Sequence, residues 1–297
     1  MELTQILGNT WAIHADELIP LYKLDDHRCI LLDSGLPNEQ DKLDETLREN
    51  GLLPVGILCS HAHVDHCANN AYLQKKYHTK VALTAPEAGM CSSVLSLKCY
   101  FLTLTAQEVE EMSSVMLHTP DVLVPSEDGL FTFQGVDFRI IHTPGHSPGH
   151  ICVITPDDVC YTGDALLSWE FLNAKLPYNL CHRAACDSRE KLRGMRCASF
   201  VMPHRGVCPP EELDKLIDAN NDLLEKRAGE MLALVTQPMT ASEINAAACK
   251  FYELFTKKTS KGLYLERNIR FMVEYLVETD RLVTFCQGGV VYYQQAQ

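Results

Sequence analysis

The first third of the chain alternates short apolar runs with amphipathic stretches. Apolar or alternating runs bounded by charged and turn residues predict β-strands at 11–14, 19–24, 29–33, 55–59 and 80–83. Helical spacing predicts helices at 40–50 and 68–77, and Gly51 follows the first of them, as glycine commonly follows a helix. Strands and helices that alternate in this way are typical of a layered domain that contains both.

The middle of the chain combines an insertion with a second set of strands. Residues 87–128 carry mixed helical signals, clearest at 108–116, and we interpret them as an insertion that covers one face of the domain. Strand patterns then return at 130–133, 136–142, 151–155, 159–162 and 200–202. Asp157-Asp158, between two of these runs, predicts a hairpin turn.

The pattern after residue 210 is mainly helical. It predicts helices at 211–234, 240–255 and 268–279, the second of which begins with a capping box of Thr240 and Glu243. Gln287-Gly288-Gly289, between two apolar runs, predicts a β-hairpin. Helices followed by a hairpin are the outline of a winged-helix module. We therefore predict a main domain at 1–210 and a helical, winged-helix-like module at 211–297.

Composition and charge limit the classes of function. The 297 residues carry 26 Lys and Arg against 39 Asp and Glu, and this net charge of −13 argues against a broad basic surface for nucleic acid. Since no apolar run reaches about 18 residues, we expect no membrane partner, and the N-terminus lacks the basic start and apolar core of a signal peptide. We expect a cytoplasmic protein whose 13 cysteines are thiols, and the 12 histidines direct attention to metals.

The most informative segment is Cys59-Ser-His61-Ala-His63-Val-Asp65-His66, which directly follows an apolar strand. Imidazole and carboxylate side chains suit Zn²⁺, and also Mn²⁺ or iron. In a loop between a strand and a helix, His61 and His63 can converge on one ion, while Asp65 and His66 face a second. We interpret the segment as the first part of a metal site.

Three further motifs place metal-ligand residue types at the ends of predicted strands. They are His142-Thr-Pro-Gly-His146-Ser-Pro-Gly-His150, Tyr161-Thr-Gly-Asp164 and Met202-Pro-His204-Arg-Gly206. Each motif alone is weak, because a Gly-Asp pair after a strand is usually only a turn. In this order, and after the first cluster, they are a strong signal of a metal site.

Taken together, the four motifs resemble those of the metallo-β-lactamase fold superfamily of metallohydrolases, over about residues 10–210. The resemblance implies an α+β fold, a four-layer αββα sandwich, with a dinuclear site at one edge. It also implies three ligands for a first metal ion, three for a second, and one that bridges both: His61, His63 and His146; Asp65, His66 and His204; and Asp164.

The resemblance further implies the chemistry. Two divalent ions, with zinc expected and manganese or iron as alternatives, would hold a bridging hydroxide that attacks an ester-like bond. Asp65 would be a ligand and also a catalytic residue that orients the hydroxide, and Asp33 would support the ligand loop. The spacing of His150, four residues after His146, independently makes it a candidate for orienting a ligand. The Asp164 bridge resembles the glyoxalase II and lactonase branches, so a small-molecule thioester, ester or lactone is the expected substrate.

Other functions remain alternatives. An endoribonuclease is the first, because five basic residues of the C-terminal module, opposed by Glu266 alone, could contact RNA phosphates: Lys257, Lys258, Lys261, Arg267 and Arg270. A β-lactamase is less expected, because the β-lactamases proper use a different residue set at the bridging position. A mononuclear-iron persulfide dioxygenase of this fold would leave Asp65, His66 and His204 without a ligand role, and a metal-binding protein without catalysis would not need the full set.

The substrate pocket is expected beside the insertion and the segment 166–187. Four side chains of that segment are candidates for lining it: Trp169, Phe171, Tyr178 and His182. Arg205 lies where related hydrolases often have glycine, and it would place a cation beside the site that favours an anionic substrate.

Overall fold

The computed structural model describes residues 1–204 and 206–296, and over these residues the chain forms two large β-sheets with helices on their outer faces. The first sheet follows the order of the chain. Its first four strands are antiparallel, and the remaining ones are added in parallel. The strands are β1 (Glu2–Leu7), β2 (Thr10–His14), β3 (Leu18–Lys23), β4 (Arg28–Leu32), β5 (Leu53–Leu58), β6 (Lys80–Thr84) and β7 (Val122–Val124).

The second sheet comes from the later part of the main domain. Its strands are β8 (Gly129–Phe133), β9 (Val136–His142), β10 (Ile151–Ile154), β11 (Val159–Tyr161), β12 (Ser199–Met202) and β13 (Gly206–Cys208). They lie side by side in chain order, and their neighbours are antiparallel except for the parallel pair β11 and β12. The predicted hairpin is present, with Asp158 in the left-handed region at a φ of 60°.

The helices are distributed over both outer faces and the C-terminal module. They are α1 (Gln40–Glu49), α2 (Val64–Cys67), α3 (Asn70–Tyr77), α4 (Ala85–Met90), α5 (Val94–Tyr100), α6 (Ala106–Ser113), α7 (His182–Leu192), α8 (Leu213–Leu234), α9 (Ala241–Phe251) and α10 (Thr259–Glu278). Among the described residues, no helix combines the length and the hydropathy needed to cross a membrane.

Three hydrophobic cores lie between the four layers of the main domain, one at each contact between adjacent layers. Leu32 and Phe138 are fully buried between the two sheets. Leu31, on the opposite face of β4, packs with Leu43 of α1 between the first sheet and its helices. A third core, which includes Phe200, lies between the second sheet and the helices α7 and α8. Each layer thus buries an apolar face, and the predicted αββα sandwich is confirmed.

The insertion contains the predicted helical structure and one strand that the sequence pattern did not predict. Helices α4, α5 and α6 cover the first sheet, and β7 follows them and extends that sheet in parallel next to β6. The pattern missed β7 because it has only three residues, of which Val122 and Leu123 are 37% and 56% exposed. An apolar run this short and this exposed lacks the signal of a buried strand.

The C-terminal module consists of α8, α9, α10 and a hairpin of β14 (Leu282–Gln287) and β15 (Val290–Gln295). Gly288 and Gly289 form its turn, both at positive φ, as this type of two-residue turn requires. Helix α10 begins at Thr259 and not at the predicted residue 268. Tertiary contacts stabilise these additional helical turns, because Leu263 and Tyr264 pack against the core beneath the insertion.

Stability should depend on the buried faces of these layers. Leu31→Ala removes a fully buried side chain and should lower the free energy of unfolding by about 2–5 kcal/mol. Leu130, which is 75% exposed on β8, provides the matched control, and Leu130→Ala should change stability by about 0.5 kcal/mol or less. Urea unfolding measures both, and equal effects of the two substitutions would contradict the assignment of the core.

Candidate metal centre

Four connections at the ends of neighbouring strands meet at one edge of the sandwich. One follows β5 and leads into α2, and the others follow β9, β11 and β12. They bring together two overlapping groups of residues, and within each group the metal-binding atoms lie within 4.8 Å of one another. The first group is His61, His63, His146 and Asp164, and the second is Asp65, His66, Asp164 and His204. The seven residues predicted to bind metal therefore all lie in the same place.

The first group is centred on three imidazoles. Nδ1 of His63 lies 2.9 Å from Nε2 of His61 and 2.9 Å from Nε2 of His146. Burial, followed by the neighbouring imidazoles, lowers the pKa of both His61 and His63 well below the ordinary value. Both rings are thus held in the neutral form, the form in which histidine binds a metal ion.

The second group is organised around the Asp164 carboxylate. Oδ1 of Asp164 lies 3.5 Å from Nε2 of His66, and Oδ2 lies 3.1 Å from Nε2 of His146 and 3.4 Å from Nε2 of His204. Burial alone would raise the pKa of Asp164, but His66 and His146 lower it well below the ordinary value. One ionised carboxylate therefore faces both groups of donors.

Two donor atoms indicate that the residues fit a cation. Among the described residues, Nε2 of His66 and Oδ1 of Asp164 are buried and have no hydrogen-bond partner. A buried polar atom left without a partner costs about 1–3 kcal/mol. Divalent cations bind imidazole nitrogen and carboxylate oxygen. The donor set accordingly fits divalent metal ions.

Asp33 holds the ligand loop from behind, where the sequence places a supporting acid. Its carboxylate accepts hydrogen bonds from the Ser60 amide at 2.7 Å, the Ser60 hydroxyl at 2.6 Å and the Tyr161 hydroxyl at 2.6 Å. Oδ2 also lies 2.8 Å from Nδ1 of His66, which leaves Nε2 of that ring directed at Asp164. The carboxylate fixes both the loop and the orientation of a ligand.

His150 supports a different ligand, through the backbone. The amide of Asp164 donates to Nε2 of His150 at 3.0 Å, and Nδ1 of the same ring lies 2.8 Å from the Thr143 hydroxyl. Gly163 permits this approach, because it has a φ of 47° and a Cβ there would lie 2.6 Å from the His150 ring. The glycine of the Thr-Gly-Asp motif is thus required by the position of Asp164.

Two supporting acids were missed by the sequence analysis. Glu87, buried on α4, accepts hydrogen bonds from the Ala62 amide, the Ser147 hydroxyl and the Gly149 amide, and so joins the loop of His61 to that of His146. Glu17 lies with Oε2 2.7 Å from Nδ1 of His204. Neither has a local signal, because each lies far along the chain from the ligand it supports.

Arg267 requires a correction of the predicted basic cluster. It is only 7% exposed, and its guanidinium lies over the rings of Tyr100 and Tyr178, at 4.8 and 5.1 Å from their centres. The Tyr100 hydroxyl lies 2.7 Å from Nε2 of His63 and 2.9 Å from the Tyr178 hydroxyl. Arg267 is therefore committed to aromatic rings beside the metal centre and is not available to RNA.

A cavity of about 270 Å³ opens directly onto the metal centre. Five of the donor residues line it: His63, Asp65, His146, Asp164 and His204. The other lining residues are Ala165, Leu167, Pro177, Tyr178, Asn179, Arg189, Asn220, Leu223 and Leu224. Of the predicted pocket residues, Tyr178 is part of this lining.

The other predicted pocket residues are placed differently. His182 is only 1% exposed, its ring packs against Tyr275, and its Nδ1 lies 3.2 Å from the side-chain amide of Asn179. It is therefore a buried residue of α7 and not part of the described cavity lining, which corrects its prediction as a pocket residue. Trp169 is 48% exposed and outside the described lining, because its short helical turn projects to solvent. The Phe171 ring lies 5.6 Å from the His204 ring. Arg205 lies outside the described residues.

An αββα sandwich with histidine and aspartate donors gathered at one edge defines a class of metal-dependent hydrolases. A sequence model of the metallo-β-lactamase superfamily matches residues 21–204, more than half of the chain, and the chain belongs to that superfamily.

Curated relatives match the chain at low identity. A probable metallo-hydrolase of Bacillus subtilis is 27% identical over 146 residues, which are 49% of this chain and 64% of the relative. A hydroxyacylglutathione hydrolase of Haemophilus influenzae is 28% identical over 146 residues, 48% of this chain and 63% of the relative. The chain thus spans a little under two thirds of the length of these proteins.

Solved structures match the whole chain, including its C-terminal module. A metallo-β-lactamase family protein of Thermus thermophilus superposes with a TM-score of 0.71 at 19% identity, over 99% of this chain and 97% of that one. A β-lactamase domain protein of Burkholderia ambifaria gives a TM-score of 0.70 at 16% identity, over 99% and 94%. At such identities the likeness concerns the fold alone.

The role of Asp33 can be tested through metal affinity. Asp33→Asn keeps the size of the side chain but removes the charge that faces Nδ1 of His66, so affinity should fall by about 10–100-fold. Asp26→Asn, at an exposed position shortly before Asp33 in the sequence, is the control and should leave metal affinity unchanged. Competition with a chromogenic chelator measures both, and equal affinities would refute a supporting role for Asp33.

Proposed function

We propose that the chain is a cytoplasmic, dinuclear zinc hydrolase that cleaves an ester-like bond, in a thioester, ester or lactone, of a small molecule. The observation that carries this proposal is the position of Asp164, whose two oxygens face His66 on one side and His146 and His204 on the other. A carboxylate shared between two donor groups suits a pair of metal ions better than a single one. Nitrogen and carboxylate donors in a compact site are typical of zinc.

When bound, two divalent ions would supply a Lewis acid for the carbonyl oxygen and a water of lowered pKa. The protein's own contribution is positioning. Asp65, whose side chain is 25% exposed and lines the cavity, is placed to accept a hydrogen bond from the attacking water. Tyr178 lines the cavity next to His63 and His146, with ring centres 5.5 and 5.1 Å away, and contributes an aromatic wall beside the donors.

The proposed substrate class rests on the cavity and the relatives. A volume of about 270 Å³ is slightly below the range of pockets for drug-sized ligands, which favours a small acyl compound. The Haemophilus influenzae relative is a hydroxyacylglutathione hydrolase, matched over 146 residues. The thirteen cysteines are all free thiols, which supports a reducing compartment.

RNA cleavage is the second candidate, and one observation favours it. Lys257, Lys258 and Lys261 are exposed and lie close together at the start of α10, as the prediction of an RNA-binding cluster requires. Arg270 is exposed too, but pairs with Glu274 at 3.2 Å. With Arg267 buried, the positive surface is smaller than the sequence suggested.

The two candidates are separated by one set of assays. Metal-loaded protein is given small thioesters, esters and lactones, and in parallel a short single-stranded RNA. We expect turnover of the acyl compounds that is unchanged in the K257Q/K258Q/K261Q variant, since those lysines lie outside the cavity. The K42Q/K75Q/K226Q variant, which neutralises three exposed lysines elsewhere, is the matched control.

Each candidate function predicts a different result in these assays. RNA cleavage that is lost in the first lysine variant and retained in the control would replace the ester proposal with the endoribonuclease. Turnover of acyl compounds without RNA cleavage would support the ester hydrolase.

A further inference from the structure

Arg189 is a buried cation in the wall of the cavity that the donor residues also line. It lies on α7 and lines the same cavity as Asp164 and His204. The residue is only 4% exposed. Burial lowers the pKa of its guanidinium, which nevertheless keeps its charge at neutral pH. The cavity therefore has a fixed positive charge built into its wall.

This charge has no acidic partner among the described residues. Nε of Arg189 donates to Oδ1 of Asn221 at 2.7 Å, and Nη2 contacts the Cys186 sulfur at 3.3 Å. No carboxylate of the described residues lies within 4.0 Å of the guanidinium, and none of their hydrogen bonds uses Nη1. The adjacent Glu190 pairs instead with Arg193, at 2.6 Å.

Other arginines in this region show what is missing at Arg189. Arg193, which directly follows α7, pairs with both Glu190 and Asp218. Arg227, on α8, pairs with Glu230 at 2.8 Å. Burying a cation without a counter-charge is costly, and buried charges in proteins are normally paired. The unmatched guanidinium, the most buried of these three, is thus the one that faces the cavity.

The surroundings of Arg189 define what could pair with it. Leu223 and Leu224 of α8, with Leu167 and Pro177, contribute apolar walls to the cavity that Arg189 and the donor residues line. A guanidinium matches the planar carboxylate group in geometry and charge. The volume of about 270 Å³ leaves room for only a short molecule in the cavity.

We propose that Arg189 binds a carboxylate of the substrate, so that the substrate is a short acyl compound with an ester-like bond at the metal end and a free carboxylate at the other. This inference rests on the proposed hydrolase function and narrows its substrate class. In the reaction, the oxygen of water bonds to the acyl carbon, the acyl C–S or C–O bond breaks, and the leaving group takes the proton. Arg189 binds and positions the substrate and takes no part in the bond changes.

Kinetics on a matched pair of substrates tests the proposal. The S-methyl thioester of glutaric acid carries a free carboxylate, and the thioester of its monoamide has the same shape without the charge. Wild-type protein should prefer the charged thioester by about 10- to 100-fold in kcat/KM, as for a hydrogen bond to a charged group. Arg189→Gln should abolish this preference by lowering kcat/KM for the charged thioester about 10- to 100-fold, whereas the control Arg193→Gln should keep it.

Two results would overturn the inference. One is a wild-type protein that hydrolyses both thioesters equally, a result that does not depend on how the variant folds. The other is an Arg189→Gln variant that retains the preference. Arg189→Lys, which keeps the charge but loses the planar fork, should retain part of it.

A binding measurement separates this inference from the hydrolase proposal. Glutarate and its diamide, which has no carboxylate, are titrated into metal-free protein by calorimetry, so no turnover is needed. Wild-type protein should bind glutarate with about tenfold or higher affinity than Arg189→Gln does, and binding of the diamide should not differ between the two proteins. If neither thioester is hydrolysed but this difference is present, the hydrolase proposal fails and the carboxylate site stands. Equal binding of glutarate by both proteins would refute the carboxylate site.

Discussion

The structure depends on the burial of one carboxylate, Asp164, among imidazoles that come from three different connections. Its oxygens lie 3.1–3.5 Å from His66, His146 and His204, and one of them has no hydrogen-bond partner among the described residues. A buried arrangement of this kind is stable only if a cation or bound protons compensate for it. The loops that follow strands of the two sheets form the edge on which the donors meet, in a chain that belongs to the metallo-β-lactamase superfamily.

Around these donors lies a layer of side chains whose function is orientation. Asp33 sets the His66 ring, His150 holds the backbone of Asp164, and Glu87 ties two ligand loops together. The C-terminal module takes part as well, because Arg267 of α10 packs on the tyrosines that contact His63. The module therefore shapes one side of the metal centre, whatever further role its exposed lysines have.

The parts of the site that could be predicted from the sequence are those encoded locally. One strand is followed, within six residues, by four of the donors: His61, His63, Asp65 and His66. Before Asp164 the sequence has a glycine, and the structure shows that the positive φ and the close approach of His150 require it. Glu87 and Arg189 could not be predicted, because their roles depend on contacts across 60 residues or more of chain or on facing a cavity that only the fold creates. The same holds for α10, whose first turns are helical because they pack on the insertion.

Anomalous diffraction from crystals of the zinc-loaded protein tests the central claim most directly. The account predicts two zinc peaks about 3.5–4 Å apart. One peak should lie among His61, His63 and His146, the other among Asp65, His66 and His204, with an oxygen of Asp164 on each or shared by both. A single fully occupied zinc ion, or two ions neither of which touches Asp164, would contradict the account.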